Sequence, residues 1–135
     1  MARHYLAQAE ARLKLVQLAK SEGHWAVTVR EAQECVELLL KAALRHVGLE
    51  VTRTHDVAEP LRRIRDRFPE WFAAEVDHLA SISSELAGDR GISFYGDERQ
   101  GIPAEQLFGQ PDAERAAEQL GFVHGLCRRL ISPES

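Results

Sequence analysis

One segment constrains the fold more than any other: the run from His24 to Val47, which contains neither glycine nor proline. Apolar residues recur in it at three- and four-residue steps, as on one face of an amphipathic helix. This stripe and the second row that widens it comprise Trp25, Val29, Ala32, Val36, Leu39, Ala43 and Val47, with Cys35, Leu38 and Ala42. A helix apolar over so much of its circumference is typical of the centre of a bundle. Gly48 is predicted to end it.

Helical periodicity continues on both sides of this segment. A stripe from Leu6 to Ala19 predicts a first helix that stops near Gly23. Asp56 is predicted to begin a shorter helix, with Glu59 completing a capping box, and Pro69 to end it. A fourth helix is predicted from Glu70 to Gly88, and a last helix capped by Asp112. With no strand pattern, this predicts an all-α fold: an up-and-down four-helix bundle with an additional short helix. At 135 residues, a single domain over residues 1–135 is expected.

Residues 88–111 interrupt the helical periodicity of the apolar residues, because they include five glycines and two prolines. They are predicted to form a long loop before the last helix, with one helical turn between Pro103 and Phe108. Loops of this length are often functional. Within it, "DRGISFYGDE" (residues 89–98) combines charged, hydroxyl and aromatic side chains. Either these groups pair among themselves and pin the loop, or Arg90 and its neighbours form a polar site.

Composition limits the classes of function. A net charge of −4 means that any nucleic-acid surface must be a local patch. Cys35 and Cys127 lie in apolar helical patterns and are predicted to be buried free thiols. Neither a signal peptide nor a membrane-spanning run is found, so a cytoplasmic protein is expected. The histidines show no metal-ligand spacing, and no metal or cofactor is expected.

Two further sets of residues are candidates for a binding or catalytic role. The arginine-rich stretch is either a solvated face balanced by nearby acids or a patch for RNA or an acidic partner. It comprises Arg62, Arg63, Arg65 and Arg67, with Arg53 upstream. The adjacent His55 and Asp56 are either a general base with an orienting acid, or an N-cap aspartate beside a histidine that ties down the loop.

Three runs of sequence together resemble the HEPN family of prokaryotic helical domains, from about residue 5 to residue 131. The first two are "EGHWAVTVREAQECVELLLKAALRHVG" and "THDVAEPLRRI", and the third begins with "DRGISFYGDE" and continues through "IPAEQLF" to "DAERAAEQLGFVHGL". The markers are the Lys41-Ala42 pair, the His55-Asp56 pair and the "FYGDE" loop before an Asp-led helix. No single marker is specific, but their order and spacing are.

The resemblance implies a helical bundle that dimerises and often works beside a minimal nucleotidyltransferase, in some cases as a toxin–antitoxin pair. Toxin members are metal-independent ribonucleases in which a histidine follows an arginine after four to six intervening residues. No arginine of this sequence has a histidine at that spacing; Tyr95 and Asp97 lie five and seven positions beyond Arg90. Tyrosine ordinarily titrates near pH 10, and losing a group tuned to neutrality costs about 10²- to 10⁴-fold in acid–base catalysis.

The sequence therefore predicts a HEPN-like module that binds a nucleotide or RNA, forms a homodimer and partners a minimal nucleotidyltransferase. Its candidate site contains Arg90, Tyr95 and Asp97. The predicted phosphate-binding residues are Arg90, Arg53, Arg62 and Arg63. Two alternatives stay open: a metal-independent endoribonuclease using a non-standard base such as His55, and a purely structural interaction subunit.

Overall fold

The computed structural model describes residues 1–133, apart from the side chains of residues 90, 91, 93 and 94. Within that range the chain is built from helices joined by short connections. They are α1 (Ala2–Ser21), α2 (Trp25–His46), α3 (Ala58–Arg63), α4 (Glu70–Ala73), α5 (Val76–Tyr95), α6 (Ala104–Leu107) and α7 (Gln110–Ile131), with a 3₁₀ turn at Arg65–Arg67. The predicted all-α architecture is confirmed.

Helices α1 and α2 pack as an antiparallel pair. The thiol of Cys35 donates to the carbonyl of Ala9 over 3.1 Å, and the Arg12 guanidinium lies 3.2 Å from a Glu31 carboxylate oxygen. Positions later in α1 therefore meet positions earlier in α2. Gly23, with φ at 76°, makes the tight turn between the two helices.

Helix α2 is the central element, as its wide apolar surface predicted. It packs against α1, α7 and α5. Its buried side chains join those of α5 and α7 in one core. The core residues that are hidden most completely include Leu39, Leu40, Leu44, Leu61, Phe72 and Leu79. Both cysteines are buried free thiols, as predicted.

The predicted end of the fourth helix was wrong. Helix α5 does not stop at Gly88 but continues to Tyr95, so residues 89–95 are helical rather than part of a loop. A glycine inside a helix costs only about 1 kcal/mol relative to alanine, which packing elsewhere along α5 offsets. The helix ends where Gly96 adopts φ 72° and ψ −161°, a conformation open essentially to glycine alone. The long loop is therefore shorter than predicted.

Two helix starts also differ from prediction. The Asp56–Glu59 capping box is absent, because Glu59 pairs with Arg63 and the Asp56 carboxylate accepts from the backbone N–H of Ala58. The helix predicted from Glu70 is divided into α4 and α5. Asp112 caps the last helix, but from inside its first turn: its carboxylate accepts from the N–H of Gly109 over 2.8 Å. The single turn predicted between residues 103 and 108 is present as α6.

None of the helices in the described range is long and apolar enough to cross a bilayer.

Candidate functional site

His55 lies in a polar cluster with two residues of α2, hereafter the His55 cluster (Glu37, Lys41 and His55). The Nδ1 atom of His55 is 2.7 Å from Oε1 of Glu37, and the Lys41 ammonium donates to Oε2 of Glu37 over 2.8 Å. The Glu37 and Lys41 side chains are only 17% and 13% exposed, whereas that of His55 is 54% exposed. A largely buried carboxylate thus orients a half-exposed imidazole.

Asp56 does not orient His55. One carboxylate oxygen of Asp56 accepts from the Ser83 hydroxyl at 3.1 Å and from the Ala58 N–H at 3.0 Å, and the other accepts from Ser84 at 2.9 Å. Ser83 in turn accepts from the N–H of Val57 over 2.9 Å. These bonds fix the loop before α3 to the middle of α5. Of the two interpretations of this pair, the geometry matches an aspartate at a helix start beside a loop-binding histidine.

The His55 cluster borders only a very small pocket. Its volume is about 10 Å³, and the buried side chains of Gln33 and Ser83 form part of its wall. A volume of that size holds about one water molecule. Orientation of His55 by Glu37 suits a general base, but the adjoining pocket has no room for a nucleotide.

The predicted arginine patch is partly neutralised by its own surroundings. Arg62 and Arg65 both contact the Asp77 carboxylate, and Arg63 pairs with Glu59 one helical turn away. Hydrogen bonds from the two guanidinium groups lower the pKa of Asp77 below its ordinary value. Arg53 is exposed and, within the described range, has no ion pair. Exposed ion pairs are weak, but they compete with a ligand for the same donors.

The end of α5 borders an open cleft of about 430 Å³, hereafter the Tyr95 cleft. Tyr95 and Asp97 both line it, so the fold brings two of the three predicted site residues together. The Tyr95 side chain is 69% exposed. The Asp97 carboxylate accepts from the N–H groups of Arg99 and Gln100, which uses it to shape the turn. Arg90 belongs to α5, but its side chain lies outside the described residues.

A cavity of about 50 Å³, smaller than the Tyr95 cleft, lies between α5 and α7, on the other side of Leu86 from the His55 cluster. Asp89 lines it, and burial together with the nearby Glu85 and Asp112 carboxylates raises the pKa of Asp89. Arg115 binds Glu85 and limits this repulsion. In the described part of the chain, no group of three or more histidine, cysteine or acidic side chains is placed to hold a metal ion.

Sequence reasoning missed Glu37 as the partner of His55. The two residues are 18 positions apart, and local spacing along the chain does not link them. A weak signal was present, since Glu37 and Lys41 are spaced i and i+4 on the helix that carries the Lys41-Ala42 marker.

Comparisons with known proteins support one family. The model of the HEPN domain matches residues 2–130, nearly the whole chain. The chain belongs to the HEPN domain family. Among functionally curated proteins, none is similar enough in sequence to count as a match.

One solved structure resembles this HEPN chain closely in fold: the crystal structure of TT1696 from Thermus thermophilus. The two share 21% sequence identity, with a TM-score of 0.77 over 96% of this chain and 98% of TT1696. At that identity the likeness shows the fold alone.

The Tyr95 cleft lies at the C-terminal end of α5, the helix that carries Arg90, and Tyr95 and Asp97 lie five and seven positions beyond Arg90.

Proposed function

We propose that this HEPN chain is a cytoplasmic binding module that holds a nucleotide or RNA without cleaving it. Residues 1–135 act as one domain, the domain forms a homodimer, and a minimal nucleotidyltransferase is its partner. Such a pair could operate as a toxin–antitoxin system. The HEPN family assignment supports the nucleotide- or RNA-related part of this proposal.

The Tyr95 cleft is the observation that carries the proposal. Its volume of about 430 Å³ falls within the usual range for small-molecule sites. The cleft is open, which suits a strand or a nucleotide entering from solvent. Asp97 is committed to the turn, so its charge is partly satisfied by backbone N–H groups. Arg90, five residues before Tyr95 on α5, supplies the phosphate contact in this proposal.

The predicted phosphate-binding residues contribute unequally in this scheme. Arg90 and Arg53 act as phosphate contacts. Arg62 and Arg63 make a smaller contribution, because each must leave a carboxylate partner to bind a phosphate.

Exposed apolar surface supports the homodimer. Ile92 and Tyr95 both line the cleft and are 43% and 69% exposed, respectively. Pairing two copies near the ends of their α5 helices would bury part of this apolar surface and place the two clefts side by side, still open to solvent. Tyr95 then either packs and hydrogen-bonds at this interface or presents its hydroxyl for modification by the nucleotidyltransferase.

Binding is tested with purified protein and a fluorescein-labelled RNA, followed by anisotropy, and with ATP and GTP, followed by the shift in Tm. Wild-type protein should bind at least one of these, Arg90→Ala should weaken binding, and Arg3→Ala, an exposed arginine of α1, should not. No binding and no shift in Tm at low salt would support the purely structural subunit instead. Co-expression with a neighbouring nucleotidyltransferase, followed by co-purification, tests the partner.

A second candidate function is favoured by the His55 cluster. Glu37 holds the imidazole at 2.7 Å, as an orienting carboxylate holds a general base, so a ribonuclease using His55 is chemically reasonable. That enzyme would cleave RNA in the presence of EDTA and lose activity in both His55→Ala and Glu37→Gln. Intact RNA at high protein concentration, with contaminating nucleases controlled for, would exclude it.

A further inference from the structure

A shallow groove of about 830 Å³, hereafter the Trp71 groove, lies at the end of the bundle where α2 and α7 finish, beside α4, the short helix that precedes α5. Its polar wall is formed by His46, Arg67, Trp71 and Arg129. The Tyr95 cleft lies at the other end of α5, a helix of 20 residues that spans about 30 Å. The two surfaces are therefore separate.

Arg129 is held in this groove by an aromatic ring. The central carbon of its guanidinium group lies 3.9 Å from the centre of the Trp71 ring, a cation–π contact. No carboxylate of the described residues lies within ion-pair distance of Arg129. The ring holds the guanidinium in place without neutralising its charge, so its N–H groups can still donate to a ligand.

Arg67 reaches the same groove from the 3₁₀ turn after α3. A Cβ atom on Gly48 would lie 4.0 Å from the Arg67 Nη1 atom, which places this guanidinium beside the end of α2. His46, in the last turn of α2, adds an imidazole. Over residues 1–133, neither Arg67 nor His46 has an ion pair, whereas the neighbouring Arg62, Arg63 and Arg65 all have one.

Helix dipoles explain only part of this arrangement. Arg129 and His46 occupy the last turns of α7 and α2, where positive charge offsets the negative end of the helix dipole. Arg67 belongs to neither helix, and Trp71 carries no charge. Two arginines that have no ion pair within residues 1–133 line one groove together with a tryptophan, although the protein as a whole carries a net charge of −4. This local positive charge suits an anionic ligand.

We propose that the Trp71 groove binds phosphates of single-stranded RNA, with Arg67 and Arg129 as the phosphate contacts. The flat Arg129 guanidinium and the Trp71 ring give bases a surface for stacking, which favours RNA over an acidic peptide. This inference rests on the proposed function, since it assigns an additional contact surface to the same class of ligand.

The test compares two double variants that remove the same charge. Arg67→Ala/Arg129→Ala removes the two groove arginines, which have no ion pair within residues 1–133, and Arg12→Ala/Arg115→Ala removes two arginines that are paired with carboxylates elsewhere on the surface. The probe is a fluorescein-labelled oligouridylate of about 12 nucleotides, within the usual site sizes for single-stranded binders. Affinity is measured by anisotropy over a series of salt concentrations.

The expected losses follow from counterion release. Each phosphate contact to a single strand contributes a slope of roughly 0.7 in log K against log salt, or about fivefold between 1 M and 0.1 M salt. Removing Arg67 and Arg129 should therefore lower the slope by roughly 1.4 and weaken binding about 25-fold at 0.1 M salt. The Arg12→Ala/Arg115→Ala variant should lose less than about threefold, because its arginines are paired with carboxylates and lie outside the groove.

A charge-conserving variant and a competition experiment distinguish RNA binding from a general effect of positive charge. Arg67→Lys/Arg129→Lys keeps the charge and should retain most of the salt slope, even if loss of the ring contact lowers Tm. Polyglutamate should compete far more weakly than unlabelled oligouridylate; equal competition would overturn the assignment to RNA.

Equal losses in the two alanine double variants would also overturn the inference, because they would indicate a general charge effect. If Arg67→Ala/Arg129→Ala binds RNA as tightly as wild type and Arg90→Ala does not bind it, the Trp71 groove is not an RNA-binding surface and the proposed function still stands. Absence of wild-type binding would contradict both.

Discussion

Gly96, a buried residue at the end of α5, should be nearly irreplaceable. An added Cβ would lie 2.2 Å from the Ile102 carbonyl oxygen and 2.7 Å from the Ala104 nitrogen. Both atoms belong to the backbone and cannot rotate away. The backbone angles of Gly96 also cost other residues about 1–3 kcal/mol. Relief requires moving the chain that forms the paired bonds between Asp97 and Ile102, at 2.7 and 2.9 Å, each contributing about 1 kcal/mol.

Gly96→Ala should therefore lower the free energy of unfolding by about 2–5 kcal/mol, the sum of backbone strain and the loss of one or two of these bonds. Gly88→Ala is the matched control, since an added Cβ there meets no atom within 4 Å. It should raise stability by about 0.5–1 kcal/mol, because alanine is the better helix former. Urea unfolding followed by circular dichroism, at one fixed protein concentration, measures both. A Gly96→Ala variant within about 0.5 kcal/mol of wild type, or a destabilised Gly88→Ala, would refute this account of where α5 ends.

Three further predictions concern the rest of the bundle. Asp56→Ala should lower the free energy of unfolding by about 2–3 kcal/mol in urea titrations, because three donors lose a charged acceptor. Burial alone would raise the pKa of Glu10, but hydrogen bonds from His124 and Arg128 have the larger combined effect, so the pKa is lowered. Glu10 therefore stabilises the fold above pH 4.5, its ordinary pKa, and this stabilisation is lost as the pH falls through the lowered pKa of the folded state. The difference in free energy of unfolding between wild type and Glu10→Gln should accordingly shrink below pH 4.5. Burial raises the pKa of the Cys35 thiol to about 12 and also raises that of Cys127, so iodoacetamide at pH 8 should label neither in the native protein and both in urea, as mass spectrometry would show.

The helices that could be predicted from the sequence are those whose apolar periodicity is continuous. The run from His24 to Val47 predicted α2 to within one residue at each end, and Gly23 correctly marked the end of α1. The end of α5 was missed because Gly88 was taken for a helix stop. A helical glycine facing open space costs little, and only the positive φ of Gly96, which depends on the chain folding back at Ile102, ends the helix.

The candidate sites depend on contacts between distant parts of the chain. His55 could be selected from its place before a helix, but its partner Glu37 lies 18 residues earlier and becomes apparent only when the loop packs on α2. Trp71 and Arg129 are likewise brought together by the end of α7. Local spacing cannot report such pairs. The arginine-rich stretch was visible in the sequence, but which of its members carry unpaired charge depends on Asp77, which belongs to α5.

The central claim is that this HEPN chain holds RNA and leaves it intact. The most direct measurement takes labelled RNA saturated with wild-type protein, in EDTA at neutral pH, and follows anisotropy while samples are withdrawn for a denaturing gel. The account predicts a stable, salt-sensitive anisotropy signal and full-length RNA throughout. Fragments that accumulate with wild-type protein and not with His55→Ala, or a signal that never rises above that of free RNA, would contradict it.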